Sequence, residues 1–263
     1  MNDVRRRLIR LSVLVLPALL LIAAVYVARG DFRDAASSLM APRYKFDNGR
    51  LTFLMKGKAR AEALATWTLK VISMLKEQPH YRIYGFKSPK AGFLVEVRSE
   101  PGPTECEQGS NRIVISGIPD DAPWESIQRD LSRLIARTML REGAPDADFS
   151  PWFEEGVSRF YETTQNPVSS IGSRKDDLIT QAARNPPLSL AEALSARRGA
   201  YFDAVSHSIV AFLHVAFVAD KVAQYADIER APGPVPLGEF ERIFAEDVER
   251  RWREFLDNRQ RGS

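Results

Sequence analysis

An α+β domain behind an N-terminal transmembrane helix is the architecture this sequence predicts, and three patterns predict it. Residues 11–28, LSVLVLPALLLIAAVYVA, carry no charge. Residues 51–116 hold short apolar runs of strand length around one long segment of helical period. From residue 123 to 256 the period is helical throughout, broken by Pro, Gly and polar clusters. A small mixed sheet followed by a helical half is the α+β pattern.

At the N-terminus, the uncharged run would span roughly 27 Å as a helix, close to the thickness of a bilayer's hydrocarbon core. Pro17 within it is tolerable in a lipid-buried helix. Arg5, Arg6, Arg7 and Arg10 precede it, which places the N-terminus in the cytoplasm and the bulk of the chain outside. The expectation is a single-pass inner-membrane protein with an extracytoplasmic (periplasmic) domain, touching the bilayer through residues 11–28. A cleaved signal peptide is the alternative, but no good small-x-small site ends the run. Residues 1–30 are thus tail and anchor, 31–50 a polar linker, 51–257 the folded domain and 258–263 a polar tail.

Within the domain, Leu51–Met55 follows an Asn48-Gly49 turn signal and reads as a strand. Residues 59–77 read as a helix through Ala63, Leu64, Trp67, Val71 and Leu75. His80–Phe86, Gly92–Arg98 and Asn111–Ser116 are strand candidates. Val95 and Val97 alternate with charged neighbours, which suggests one wet sheet face. Residues 123–141 form a helix with Asp121 as a candidate N-cap, and 151–163 a helix behind Ser150 with Pro151 at its first position. Helices over 174–184 and 189–196, one long helix over 201–226, and two around 244–247 complete the chain.

Charge and composition narrow the function. The 263 residues carry a net +3, but residues 1–30 hold five arginines against one acid, leaving −1 for the rest. The folded part lacks the basic excess of a nucleic-acid binder. The single cysteine, Cys106, excludes an internal disulfide framework and a Cys-rich zinc site. His80, His207 and His214 are too few for histidine-rich metal chemistry. The last two, seven apart, share a helix face and read as packing residues, the alternative being an unusual metal site with Glu155. No Gly-rich phosphate loop and no nucleophile elbow is present.

The run Pro151-Trp152-Phe153-Glu154-Glu155-Gly156-Val157-Ser158-Arg159-Phe160 is the most informative segment. It resembles the glutamate helix of the gluzincins, the peptidase MA-like zinc peptidases with a thermolysin-like (zincin) fold. The resemblance implies a zincin-like domain over residues 51–257, with Glu155 where the third zinc ligand stands, Ser158 at the usual small position and Phe160 at the usual aromatic one. Residues 123–141 would then be the helix that carries His-Glu-x-x-His. Residues 201–213 resemble the following core helix, and 240–256, with Trp252 four before Leu256, the usual ending.

The sequence departs from the family where the metal would bind. The best register lays Arg129-Asp130-Leu131-Ser132-Arg133 on His-Glu-x-x-His. Arginine offers no lone pair to a metal, and Asp is a methylene shorter than the glutamate base. The expectation is no metal, no cofactor and no catalytic residue, with a salt-bridge cluster of Arg129, Asp130, Arg133 and Glu155 in their place. The alternative is a solvated basic face, because Arg129, Arg133, Arg137 and Arg141 recur every four residues opposite the apolar stripe Ile127, Leu131, Leu134, Ile135, Thr138. Trp124, Trp152, Phe153 and Phe160 would pack the junction of sheet and helices or line a peptide cleft. The functional expectation is a membrane-anchored, metal-free pseudo-peptidase domain that binds a protein or peptide partner as an accessory subunit of a membrane complex. Alternatives are an active membrane-anchored hydrolase with a non-standard site, and a structural ectodomain unrelated to peptidases.

Overall fold

The computed structural model describes residues 43–46, 51–55, 58–106, 111–119, 122–164, 170–187, 189–199 and 201–261. The chain divides into two units, Met1–Arg43 and Tyr44–Ser263, and apart from Arg43 everything below concerns the second. No described helix is long and apolar enough to cross a membrane. The anchor expected over residues 11–28 and the Asp121 cap lie outside the described residues.

A small sheet and a mostly helical remainder make up the fold. The strands are β1 (Arg43–Phe46), β2 (Leu51–Leu54), β3 (Phe93–Val97), β4 (Glu105–Cys106) and β5 (Arg112–Ile115), in the order β1-β2-β3-β5-β4. β2 and β3 run parallel, as do β3 and β5, whereas β4 is antiparallel to β5. Between β2 and β3 runs α1 (Lys58–Glu77), the crossover that parallel neighbours require. Its buried stripe is Ala61, Leu64, Ala65, Thr68, Val71 and Leu75. Ala63 is exposed and Trp67 half-buried, so the stripe is rotated from the one expected.

The strand expected over His80–Phe86 is absent. The segment is the short helix α2 (Pro79–Arg82), followed by a turn through Gly85 at φ +66°. Pro79 sets the first helical φ, and Tyr81 and Tyr84, three apart, are both buried. A helical turn puts such a pair on one side, but a strand would put them on opposite sides. The wet face expected on β3 is also closed: Glu96 is buried beneath Arg98 and Arg112, which donate to it at 2.7 and 2.6 Å.

The helical half comprises α3 (Trp124–Gly143), α4 (Pro151–Thr164), α5 (Ser170–Arg184), α6 (Leu190–Ser195), α7 (Phe202–Ala216), α8 (Ala219–Glu229), α9 (Leu237–Phe244) and α10 (Val248–Arg261). α3 runs on through Gly143, which faces the Gly85 carbonyl so closely that a side chain would collide with it. α6 starts at Ser189, whose hydroxyl accepts from Glu192 N–H at 3.1 Å. The helix expected over 201–226 is two, because Phe217 and Val218 are extended. No Pro or Gly marks that break. Phe217 turns inward onto Phe212 and Phe244, and the Arg251 guanidinium lies 4.5 Å from its ring centre.

Candidate functional site

α4 begins behind Ser150, whose carbonyl accepts from Phe153 N–H at 3.0 Å and Glu154 N–H at 3.1 Å. The helix is buried on several sides at once. Val157 and Tyr161 join the core, and Gly156 lies against α7, where an added Cβ would stand 2.5 Å from the Ser206 carbonyl oxygen. That close crossing is the reason a glycine stands here. Its other face meets α3 with Glu154, Glu155 and Glu162, all buried.

These acids meet the arginines of α3 and one of their own helix. Arg137 donates to Glu154 at 2.8 Å, and Arg141 chelates the same carboxylate through Nη2 at 2.9 Å and a short contact from Nε. Glu155 accepts from Arg159 at 2.8 Å and has Arg133 at 3.7 Å and Arg137 at 3.6 Å. Arg159 also donates to Glu162 at 2.8 Å and lies 3.3 Å from Asp203 on α7. Arg129 stands apart, 3.7 Å from its neighbour Asp130 and 3.9 Å from Glu162. Five guanidinium groups thus face five carboxylates.

Of the four expected cluster residues, the structure brings Arg133 and Glu155 together and pairs neither Arg129 nor Asp130 with Glu155. Glu155 faces the turn between Arg133 and Arg137, one turn beyond the register read from the sequence. The solvated stripe is not what forms either. The α3 arginine side chains are 13–34% exposed, because α4 lies over them. Sequence reasoning missed Glu154, Arg159, Glu162 and Asp203 as members, and read Arg137 and Arg141 only as part of a solvated face. The i,i+4 spacing of Glu155 and Arg159 and the i,i+3 spacing of Arg159 and Glu162 were the available signal.

Protonation follows the bonding. Burial pushes the Glu154 carboxyl up, but the hydrogen bonds and charges of Arg137 and Arg141 outweigh it and hold it below its ordinary value. Arg137 and Arg159 are raised despite burial by their carboxylate partners. Arg133 is lowered, first by burial and then by the charge of Arg159, and Glu155 compensates only in part.

The residues around Glu155 do not fit a zinc ion. Its three near neighbours are guanidinium groups, which cannot ligate a metal. Among the described residues no group of three His, Cys, Asp or Glu side chains is close enough to hold one. His207 is buried beside Phe160; His214 stacks on Phe160 with ring centres 4.4 Å apart and shares a 2.5 Å hydrogen bond with the Tyr84 hydroxyl.

Next to the cluster opens a cleft of about 810 Å³, between the edge strand β4 and the connection from α3 to α4. Lys90, Cys106, Thr138, Arg141, Phe149 and Glu154 are among its lining. Cys106 Sγ lies 3.0 Å from Thr138 Oγ1. The aromatic residues named from sequence are elsewhere. Trp152, Phe153 and Phe160 are buried, and Trp152 meets Phe153 and Phe240 edge-on. Trp124 opens α3, and its side chain lies outside the described residues. The aromatic ring that does line the cleft is Phe149.

No protein-family model matches the chain, and no curated protein matches it. Among solved structures it is similar to the M1 zinc metallopeptidase from Deinococcus radiodurans, at 12% identity and a TM-score of 0.46. The match covers 83% of this chain and 51% of that one, so this chain spans about half that protein's length.

Proposed function

We propose that this chain is a membrane-anchored, metal-free pseudo-peptidase domain of zincin-like type whose cleft binds an extended peptide segment of a protein partner. The observation that carries the reading is the ring of three guanidinium groups on Glu155. In the gluzincin-like motif that carboxylate stands at a ligand position, and here arginine charge neutralises it where a cation would. The Pro151–Phe160 motif and the packing of its helix against α3 support the zincin-like part. Binding is supported by the cleft and by β4, which pairs with β5 on one side only among the described strands. An edge strand beside a cleft suits an extended peptide. The uncharged run 11–28 and the arginines before it support a single-pass anchor with the domain on the extracytoplasmic side. Tethering there would raise the effective concentration of a membrane-bound partner.

The test uses the full chain extracted in detergent. Metal is counted per chain before and after equilibration with zinc, and a photo-crosslinking residue at Asn111, in the cleft, is compared with one at the exposed Arg250. Substoichiometric metal and crosslinks to one membrane partner from Asn111 alone are expected. Stoichiometric zinc, with hydrolytic activity lost in Glu155→Ala, would establish an active hydrolase instead.

A further inference from the structure

One wall of the cleft is the connection 144–150, through Ala144, Pro145, Ala147, Asp148 and Phe149. Two ties hold it. Ala147 bridges through its backbone to Pro232 and Gly233. Ser150 N–H donates to Glu229 Oε2 at 2.9 Å. Glu229, at the end of α8, has 0% exposure, and its other oxygen accepts from the Tyr225 hydroxyl at 2.9 Å. Among the described residues, the titratable groups that bear on this carboxyl are Tyr225 on its own helix, Asp148 on the connection and, through Tyr225, Glu239 on α9. None is a cation. Arg230, the next residue, turns its guanidinium to Asp227 and the Gly85 backbone.

A buried carboxylate is stable only with cationic or multiple hydrogen-bonding partners. Here three neutral donors, the Ser150 N–H and side chain and the Tyr225 hydroxyl, with no cation beside them, oppose complete burial and a neighbouring acid. We infer that Glu229 is a proton-controlled latch on the cleft wall, closed when its carboxyl is neutral and loosened when it ionises. Burial sets the Glu229 carboxyl above its ordinary range, although the Ser150 and Tyr225 hydrogen bonds pull the other way. The sign follows from linkage. Opening the wall to water returns the carboxyl to its ordinary value, so opening releases a proton and acid favours the closed wall. Between the ordinary and the raised value the open fraction grows by up to about tenfold per pH unit, the limit for one proton, and above the raised value it levels off. As regulation of peptide binding the latch rests on the cleft reading above, but its test needs no peptide.

The test is hydrogen exchange at the amides of residues 144 and 146–150 in the full chain, from acid to alkaline pH, corrected for intrinsic exchange. Glu229→Gln is the control, because its carboxamide accepts from Ser150 N–H and donates to Tyr225 without carrying charge. Wild-type protection is expected to fall as pH rises. In Glu229→Gln it is expected to be flat and, at alkaline pH, higher than in the wild type. Protection that is flat or rises with pH in the wild type, or a Glu229→Gln wall looser than the wild type at alkaline pH, overturns the latch. Tyr225→Phe is the second variant. It removes a donor that favours the ionised carboxyl, so the midpoint is expected to move to higher pH. An unmoved or lowered midpoint overturns the latch as well.

Discussion

Glu155 is the acid that the sequence motif singles out, yet the geometry gives its neighbour Glu154 the greater share of the stability. Glu154→Gln keeps the shape and removes the charge. It leaves Arg137 and Arg141 facing an amide, after three charge-assisted hydrogen bonds to one carboxylate. Breaking a buried ion pair from one side costs about 3–5 kcal/mol. The Arg137 and Arg141 side chains are 26% and 34% exposed and can recover some hydration, which places the cost at the lower end, about 3 kcal/mol. Glu155→Gln loses one such bond, at 2.8 Å to Arg159, which keeps Glu162 and Asp203. The contacts to Arg133 and Arg137, at 3.7 and 3.6 Å, are beyond hydrogen-bond length. A cost of about 1.5 kcal/mol follows, the lower end for a bond to a charged group, because the amide oxygen of the variant still accepts from Arg159. Urea unfolding of the full chain, compared at constant m-value, reads the difference. By melting, the Glu154 variant should fall about 6–12 °C. Because both acids touch Arg137, the double variant should depart from additivity by at least about 0.5 kcal/mol. A Glu155→Gln cost equal to or above that of Glu154→Gln would refute the reasoning.

Three further outcomes follow from the same structure. Gly156→Ala puts a Cβ 2.5 Å from the Ser206 carbonyl oxygen and 2.7 Å from Val210 Cγ2. It should destabilise by about 1–3 kcal/mol in urea melts, as other overpacked sites do. Glu96 and Glu154 both have lowered carboxyl values, so their contribution is full above the unfolded value of 4.5 and is lost as pH falls through the folded values. An acid titration of stability should therefore drop below about pH 4.5, less steeply in Glu96→Gln. Arg129→Gln should cost under about 1 kcal/mol, since that side chain is a third exposed and its two ion pairs are no closer than 3.7 Å.

Much of the fold is legible in periodicity. The stripe Ile127, Leu131, Leu134, Ile135, Thr138 is buried in α3, and the break between α9 and α10 falls in the residues where the pattern changes. The errors have a common cause. Residues 80–86 alternate locally like a strand, but Tyr81 and Tyr84 are drawn to the same side by the core. The helical run 201–226 has no breaker, and Phe217 interrupts it only because its ring is received between Phe212 and Phe244. Glu96 reads as the solvent side of a strand because its cover comes from Arg112, sixteen residues away.

The sequence by itself determined an uncharged N-terminal run, a sheet-then-helix order and a glutamate helix whose motif lacks histidine partners on the helix before it. These are local facts of residue type and spacing. Which arginine meets which acid was decided only by tertiary structure. The pairing depends on the rotation and slide of α4 against α3, and Gly156 sets how closely α4 approaches α7. A shift of one helical turn exchanges Arg129 for Arg137 beside Glu155, and nothing in either helix alone distinguishes the two registers.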